Sequence, residues 1–160
     1  MDESAHILIV DDNDYNLKVV GSFLKEKDYK IAFANDGESA LNLLSQNKFD
    51  LILLDIMMPG MDGFEVCRII KERPETKNIP VIFLTARIET ESIVKGFQVG
   101  GVDYLTKPFN KEELYARVNN HLLLKKAREE ALRREAEAVK SRDQYMRTLY
   151  GLSKILSGNK

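Results

Sequence analysis

Short apolar runs alternate with longer amphipathic stretches over the first hundred or so residues. His6 to Val10, Asp50 to Asp55 and Val81 to Thr85 each hold a nearly continuous apolar run that stops at a polar residue. Such runs, bounded by turn signals, predict strands buried on both faces of a sheet. Lys30 to Ala34 is weaker, with Ile31 and Phe33 alternating with smaller or polar neighbours. It predicts an edge strand. Val102 to Thr106 is a fifth, short strand. Between the strands the period changes to that of a helix. Leu17, Val20 and Leu24 form one face after Asp14, which can cap that helix. A helix from about Glu38 to Gln46 presents Ala40, Leu41 and Leu44, and another runs from Phe64 to Glu72 before Pro74. Glu89 to Val99 puts Ile93 and Phe97 on one face, and Gly100-Gly101 ends it. Five alternations of strand and helix predict a parallel sheet with helices on both faces.

The strands deliver their polar residues to one edge of that sheet. The first strand ends at Asp11-Asp12, the third at Asp55, the fourth at Thr85 and the fifth near Lys107-Pro108. In open α/β sheets this carboxyl edge is where ligands bind. Three carboxylates held close repel, and one is driven towards protonation. A divalent cation removes the conflict, and magnesium suits a few carboxylates with retained waters. A cation, a lysine and a hydroxyl donor together stabilise a phosphoryl group. A remaining carboxylate, Asp55, can then act as nucleophile and form an aspartyl phosphate.

Composition adds little to this, but charge distribution divides the chain. The net charge is -1, with 44% hydrophobic residues, which is ordinary for a soluble protein. Residues 125 to 160 carry 10 Lys/Arg against 5 Asp/Glu, and the preceding residues carry a net of -6. An acidic body and a basic, helix-prone tail imply two units with different tasks. Cys67 is the single cysteine, so no internal disulfide forms, which suits a reducing cytoplasm. No signal peptide opens the sequence and no apolar run reaches the length of a membrane span, so a cytoplasmic protein without membrane contact is expected.

The set Asp11-Asp12, Asp55 with Met-Met-Pro-Gly-Met-Asp-Gly, Thr85-Ala86 and Lys107-Pro108-Phe109 resembles the receiver domain of bacterial two-component response regulators. The resemblance covers roughly residues 5 to 124. It implies a flavodoxin-like, doubly wound, five-stranded parallel sheet of order 2-1-3-4-5, followed here by an extended C-terminal helix. It implies that Asp55 takes phosphate from a sensor histidine kinase or phosphotransfer protein. Asp11, Asp12, Asp55 and the backbone carbonyl of Met57 would hold Mg2+, or Mn2+ in its place. Thr85 would bind the phosphoryl group, Lys107 would pair with Asp55 or its phosphate, and Tyr104 would be the aromatic switch. Met57 and Arg87 match the positions that tune phosphate lifetime. Met57 brings no acid or amide to orient water, so slow self-dephosphorylation is expected. The Lys107-Pro108 bond is cis in this family.

The resemblance implies a switch that catalyses only its own phosphotransfer and dephosphorylation. A phosphatase with an aspartyl-phosphate intermediate needs a second carboxylate two residues after the nucleophile, and Met57 stands there. A scaffold that is never phosphorylated has no use for the full set of Asp11, Asp12, Asp55, Thr85 and Lys107.

The expected division is a receiver over 1–124 and a helical, partly coiled-coil extension or linker over 125–160. From Lys111 the pattern is helical with no clear stop before Gly151. At seven-residue spacing, Leu124, Ala131, Ala138, Tyr145 and Leu152 are apolar, while Ala127, Arg134, Ser141, Thr148 and Ile155 are mixed. Leu132, Val139 and Met146 form a second stripe. The pattern is a partial coiled coil. It favours a homodimer, through the receiver face or this helix. Nothing after Leu124 resembles a DNA-reading helix-turn-helix. The alternative reading is a receiver fragment of a larger regulator or hybrid kinase whose output domain lies elsewhere.

Overall fold

The apolar runs pair as one parallel sheet. In the computed structural model, which describes residues 4–86 and 89–158, the strands are β1 (His6–Val10), β2 (Lys30–Ala34), β3 (Leu51–Asp55), β4 (Val81–Thr85) and β5 (Asp103–Thr106). Their order is β2-β1-β3-β4-β5, and every pairing is parallel. The helices are α1 (Asp14–Lys25), α2 (Gly37–Gln46), α3 (Gly63–Glu72), α4 (Thr90–Gln98) and α5 (Lys111–Ser157). The expected doubly wound topology is the one observed, with weak β2 at an edge.

Alternation along the strands sorts the core into two layers. Leu8, Val10, Ile52, Leu54, Val81 and Phe83 pack with Ala40, Leu41 and Leu44 of α2 and with Phe64, Val66, Cys67 and Ile70 of α3. Ile7, Ile9, Leu51, Leu53, Ile82 and Leu84 pack with Leu17, Val20 and Leu24 of α1 and with Leu114 and Val118 of α5. Most of these side chains are wholly enclosed, and each buried Leu, Ile or Val stabilises the fold by about 1.5–3 kcal/mol. This is why the central strands read as unbroken apolar runs. Cys67 is part of the first layer, and burial pushes its thiol up to about 11.

Several helices start on a side-chain cap. Asp36 accepts from the Ser39 amide at 2.7 Å and Asp62 from the Glu65 amide at 2.9 Å. For α1 the cap is Asn13, which accepts from the Asn16 amide at 3.2 Å. Asp14, expected in that role, instead opens the first turn, where its charge faces the positive end of the helix dipole. The expected apolar face of α4 also differs. Phe97 is half exposed, and the buried residue of that helix is Gly96. The final helix passes Gly151 and runs to Ser157. Contacts divide the chain into two compact units that part between Lys125 and Lys126. Among the described residues no helix is long and apolar enough to cross a membrane.

One close approach ties the fold to the end of β3. The amide of Gly63 donates to the carbonyl of Ile56 at 2.8 Å, which folds the β3-α3 loop back on itself. A Cβ on Gly63 would stand 2.2 Å from the backbone oxygen of Asp55. Backbone cannot yield as a flexible side chain can. Gly63→Ala is expected to destabilise the protein by about 3 kcal/mol, read as a fall in the urea midpoint at unchanged slope. A change within error would show that the loop has slack there.

Candidate functional site

Strand register builds the site. Val10 lies level with Leu54 across β1 and β3, so Asp11 and Asp55, one residue on, stand side by side. Asp55 is level with Leu84, and Thr85 is one step further along β4. Thr106 is level with Thr85, and Lys107 follows it. Lys107 comes from the edge strand and reaches back over β4. Its Nζ is 3.2 Å from Asp11 Oδ2 and 3.2 Å from Asp55 Oδ1. The Lys107-Pro108 peptide from which it departs is cis.

Burial is what makes this cluster unusual. Asp11 is fully enclosed, Asp55 is 3% exposed and Thr85 is 1% exposed, while Asp12 is open to solvent. Asp11 accepts from the Asn13 amide at 2.9 Å and from Asn16 Nδ2 at 3.2 Å. Asp55 has Lys107 and a hydrogen bond from the Met57 amide. Burial first, and then the charge of Asp11, push the Asp55 carboxyl up to about 7 against the pull of Lys107 and Met57. One lysine therefore leaves negative charge uncompensated among carboxylate oxygens of Asp11, Asp12 and Asp55 that all lie within 4.8 Å of one another. An all-oxygen cluster with surplus charge fits a small hard divalent cation.

Tyr104 lies beside this site. Its ring packs between Phe83 and Phe97, with centroids 5.6 and 5.5 Å away. Its hydroxyl is 2.7 Å from the Ser92 carbonyl and 2.9 Å from that of Ile93, and it has one proton to donate between them. Gly96 leaves the room: a Cβ there would stand 1.8 Å from the Tyr104 oxygen. Met57 is half exposed in the loop after Asp55, and the expected role of Arg87 falls outside the described residues.

Three supporting groups escaped sequence reading. Asn16 and its bond to Asp11 carried no signal beyond a polar helical residue. Gly96 did carry one, since a glycine inside a helical pattern marks close packing. Asp103 at the start of β5 accepts from Arg117 Nη1 at 2.7 Å and lies 2.9 Å from His121 Nε2, a partnership no local spacing reveals. Burial raises the Asp103 carboxyl, but the hydrogen bonds from His121, the Tyr104 amide and Arg117 hold it below its ordinary value.

A doubly wound parallel sheet with clustered carboxylates facing a lysine at its carboxyl edge defines a flavodoxin-like receiver. The chain belongs to the response regulator receiver domain family, whose sequence pattern matches residues 7–119. Domains of this family are phosphorylation-controlled switches of two-component systems. The chain is 41% identical over 133 residues to the response regulator PleD of Caulobacter vibrioides, covering 83% of this chain and 29% of PleD. It is 39% identical over 158 residues to a probable cyclic di-GMP phosphodiesterase of Vibrio cholerae, covering 92% of this chain and 36% of that protein. It thus spans about a third of the length of these two relatives. The receiver domain of the sensor histidine kinase PA1611 from Pseudomonas aeruginosa, solved with magnesium in its active-site cleft, superposes with a TM-score of 0.70. That structure is 30% identical, over 75% of this chain and 98% of its own.

The raised Asp55 carboxyl sets a pH dependence in metal-free protein. Unfolded, the group titrates near 4. Folded, it titrates at about 7. Between these values the folded state holds the extra proton, so stability is fullest below the lower value and declines as pH rises to the upper one. In EDTA, the melting temperature of the wild type should fall between pH 5 and pH 8 by more than that of Asp55→Asn. Added Mg2+ should restore the wild type at pH 8. Parallel pH profiles for the two proteins would contradict the assignment.

Proposed function

We propose that the chain is a phosphoacceptor switch whose Asp55 takes a phosphoryl group from a phosphohistidine. The observation that carries this reading is the buried Asp55 carboxylate beside Asp11, with Lys107 Nζ 3.2 Å away. The donor is a sensor histidine kinase or a phosphotransfer protein, which sets the reaction in the cytoplasm. An oxygen of Asp55 forms the new P–O bond as the P–N bond of the donor breaks, and the departing imidazole takes the electron pair. Lys107 stabilises the charge on the phosphoryl oxygens, and the Thr85 hydroxyl bonds one of them. Asp11, Asp12, Asp55 and the Met57 carbonyl would hold Mg2+, or Mn2+, which when bound would neutralise carboxylate and phosphoryl charge. Metal also favours the ionised, nucleophilic form of Asp55 over the protonated one.

The output follows from what Thr85 does next. In this reading it moves towards the phosphoryl group and vacates space into which Tyr104 turns. Tyr104 then leaves the Ser92 and Ile93 carbonyls, which frees the first turn of α4. The altered surface favours a homodimer, through the receiver face or the C-terminal helix. In a longer regulator that helix would lead to an output domain. The match to the Vibrio cholerae phosphodiesterase, which continues over 158 residues of a longer protein, supports this arrangement. The chain itself turns over no other substrate.

Incubation with acetyl phosphate and Mg2+ should place one acid-labile phosphate on the wild type and none on Asp55→Asn. No label on either protein would favour an unphosphorylated scaffold. The Asp55 phosphate should be long-lived, because half-exposed Met57 cannot orient a water molecule. Met57→Gln, which supplies an amide, is expected to shorten its lifetime several-fold. A wild-type half-life of seconds would sink the assignment of Met57.

A further inference from the structure

The tail beyond Lys125 presents a face with a built-in conflict. Two stripes repeat every seven residues along it: Ala131, Ala138, Tyr145 and Leu152, and beside them Leu132, Val139 and Met146. The residues four places after each member of the first stripe fall between the two on a helix. Starting from Leu124 they are Arg128, Glu135, Arg142, Leu149 and Leu156. The centre of the face is therefore charged along its first three turns of the repeat and apolar at its end. Tyr145, Met146, Leu149, Leu152 and Leu156 are all exposed, from 42% for Leu149 to 76% for Leu156.

A strict seven-residue phase keeps a face straight along a two-stranded supercoil, whereas packing on a globular partner or a membrane follows 3.6 residues. Charges of both signs in the middle of the apolar face also disfavour insertion into lipid. The fitting partner is a second copy of the same helix. Its direction follows from magnitudes. An antiparallel pair would match Glu135 with Arg142 of the other copy, but at the centre of a seam the cost of desolvating both charges offsets their attraction. It would also lay Leu149 against Arg128 and Leu152 against Lys125. A parallel pair sets Leu149, Leu152 and Leu156 against their own copies, and burying those leucines contributes more. The cost is that Arg128, Glu135 and Arg142 each face a like charge.

We propose that the tail is a parallel self-association helix that closes from Tyr145–Leu156, and that like charges at Arg128, Glu135 and Arg142 hold its receiver-proximal part open. The conflict keeps the pair weak unless something at the receiver end adds to it. This deepens the reading of the helix as a dimer element and rests on it. The charged centre then serves as the adjustable part, and the apolar end as the latch.

The test uses the full chain with Cys67→Ser, in both wild-type and Asp55→Asn backgrounds, so that it does not depend on phosphorylation. Leu149→Cys should form disulfide-linked dimers with itself under mild oxidation. Preferential linking of Leu149→Cys to Arg128→Cys in a mixture would make the pair antiparallel and overturn the proposal. Replacing Glu135 and Arg142 together by leucine should tighten self-association at least tenfold by sedimentation equilibrium. Leu149→Asp with Leu152→Asp should abolish it while circular dichroism still reports a helical tail. An unchanged dissociation constant for the leucine variant would remove the charged centre from the account. A helical chain that stays monomeric in every variant would remove the latch. If these hold but acetyl phosphate has no effect on assembly, the receiver's control fails and the helix assignment survives.

Discussion

Two carboxylates share one ammonium group in a place water barely reaches, and most of the structure exists to keep them there. Asp11 is fully enclosed and Asp55 nearly so, with Lys107 Nζ 3.2 Å from each. A pair of like charges in so poor a solvent is costly unless other groups compensate. The compensation comes from the Asn13 amide and Asn16 for Asp11, and from the Met57 amide for Asp55. It remains incomplete, as the raised Asp55 carboxyl shows. That deficit is chemically useful. The site is arranged to favour whatever brings positive charge or spreads negative charge, and a metal ion and a transferring phosphoryl group do these two things.

The same lysine links distant parts of the sheet. It leaves the end of β5, where Tyr104 also sits three residues earlier. One short strand thus supplies the counter-ion of the acid cluster and the aromatic residue that holds α4. Tyr104 grips the Ser92 and Ile93 carbonyls only because Gly96 has no side chain beneath its hydroxyl. Asp103 at the start of that strand joins Arg117 and His121 of α5. Along β5, then, contacts to α5, α4 and the carboxylate site follow one another within five residues.

What could be read from the sequence depended on the range of the interaction. Buried strands announce themselves because both faces are apolar, so β1, β3 and β4 and their order of alternation were legible. The polar strand ends were legible too, because Asp11, Asp12, Asp55, Thr85 and Lys107 interrupt those runs at the same end. The chemistry of three carboxylates beside a lysine pointed to a cation and a phosphoryl group, whereas the residue-by-residue roles expected of them, and the Tyr104 switch, were implied by family resemblance, since no spacing declares them. Local capping was half legible: Asn13 and Asp14 are both good caps, and backbone conformation chose Asn13. The face of α4 was misread because Phe97 looks like a core residue, yet a glycine occupies the buried position. Partnerships across long sequence separations, such as Asp103 with His121, leave no local trace.

The register of β1 against β3 has a consequence for quality control. Val10 opposite Leu54 is what sets Asp11 beside Asp55, and side chains alternate faces along a strand. A slip of one residue would turn one of the two carboxylates to the opposite side of the sheet, and the acid cluster would not assemble. Lys107 adds the condition that β5 has docked at the far edge. Competence to receive a phosphoryl group is thus a certificate of completed folding: a half-assembled chain has every residue of the site and none of the site.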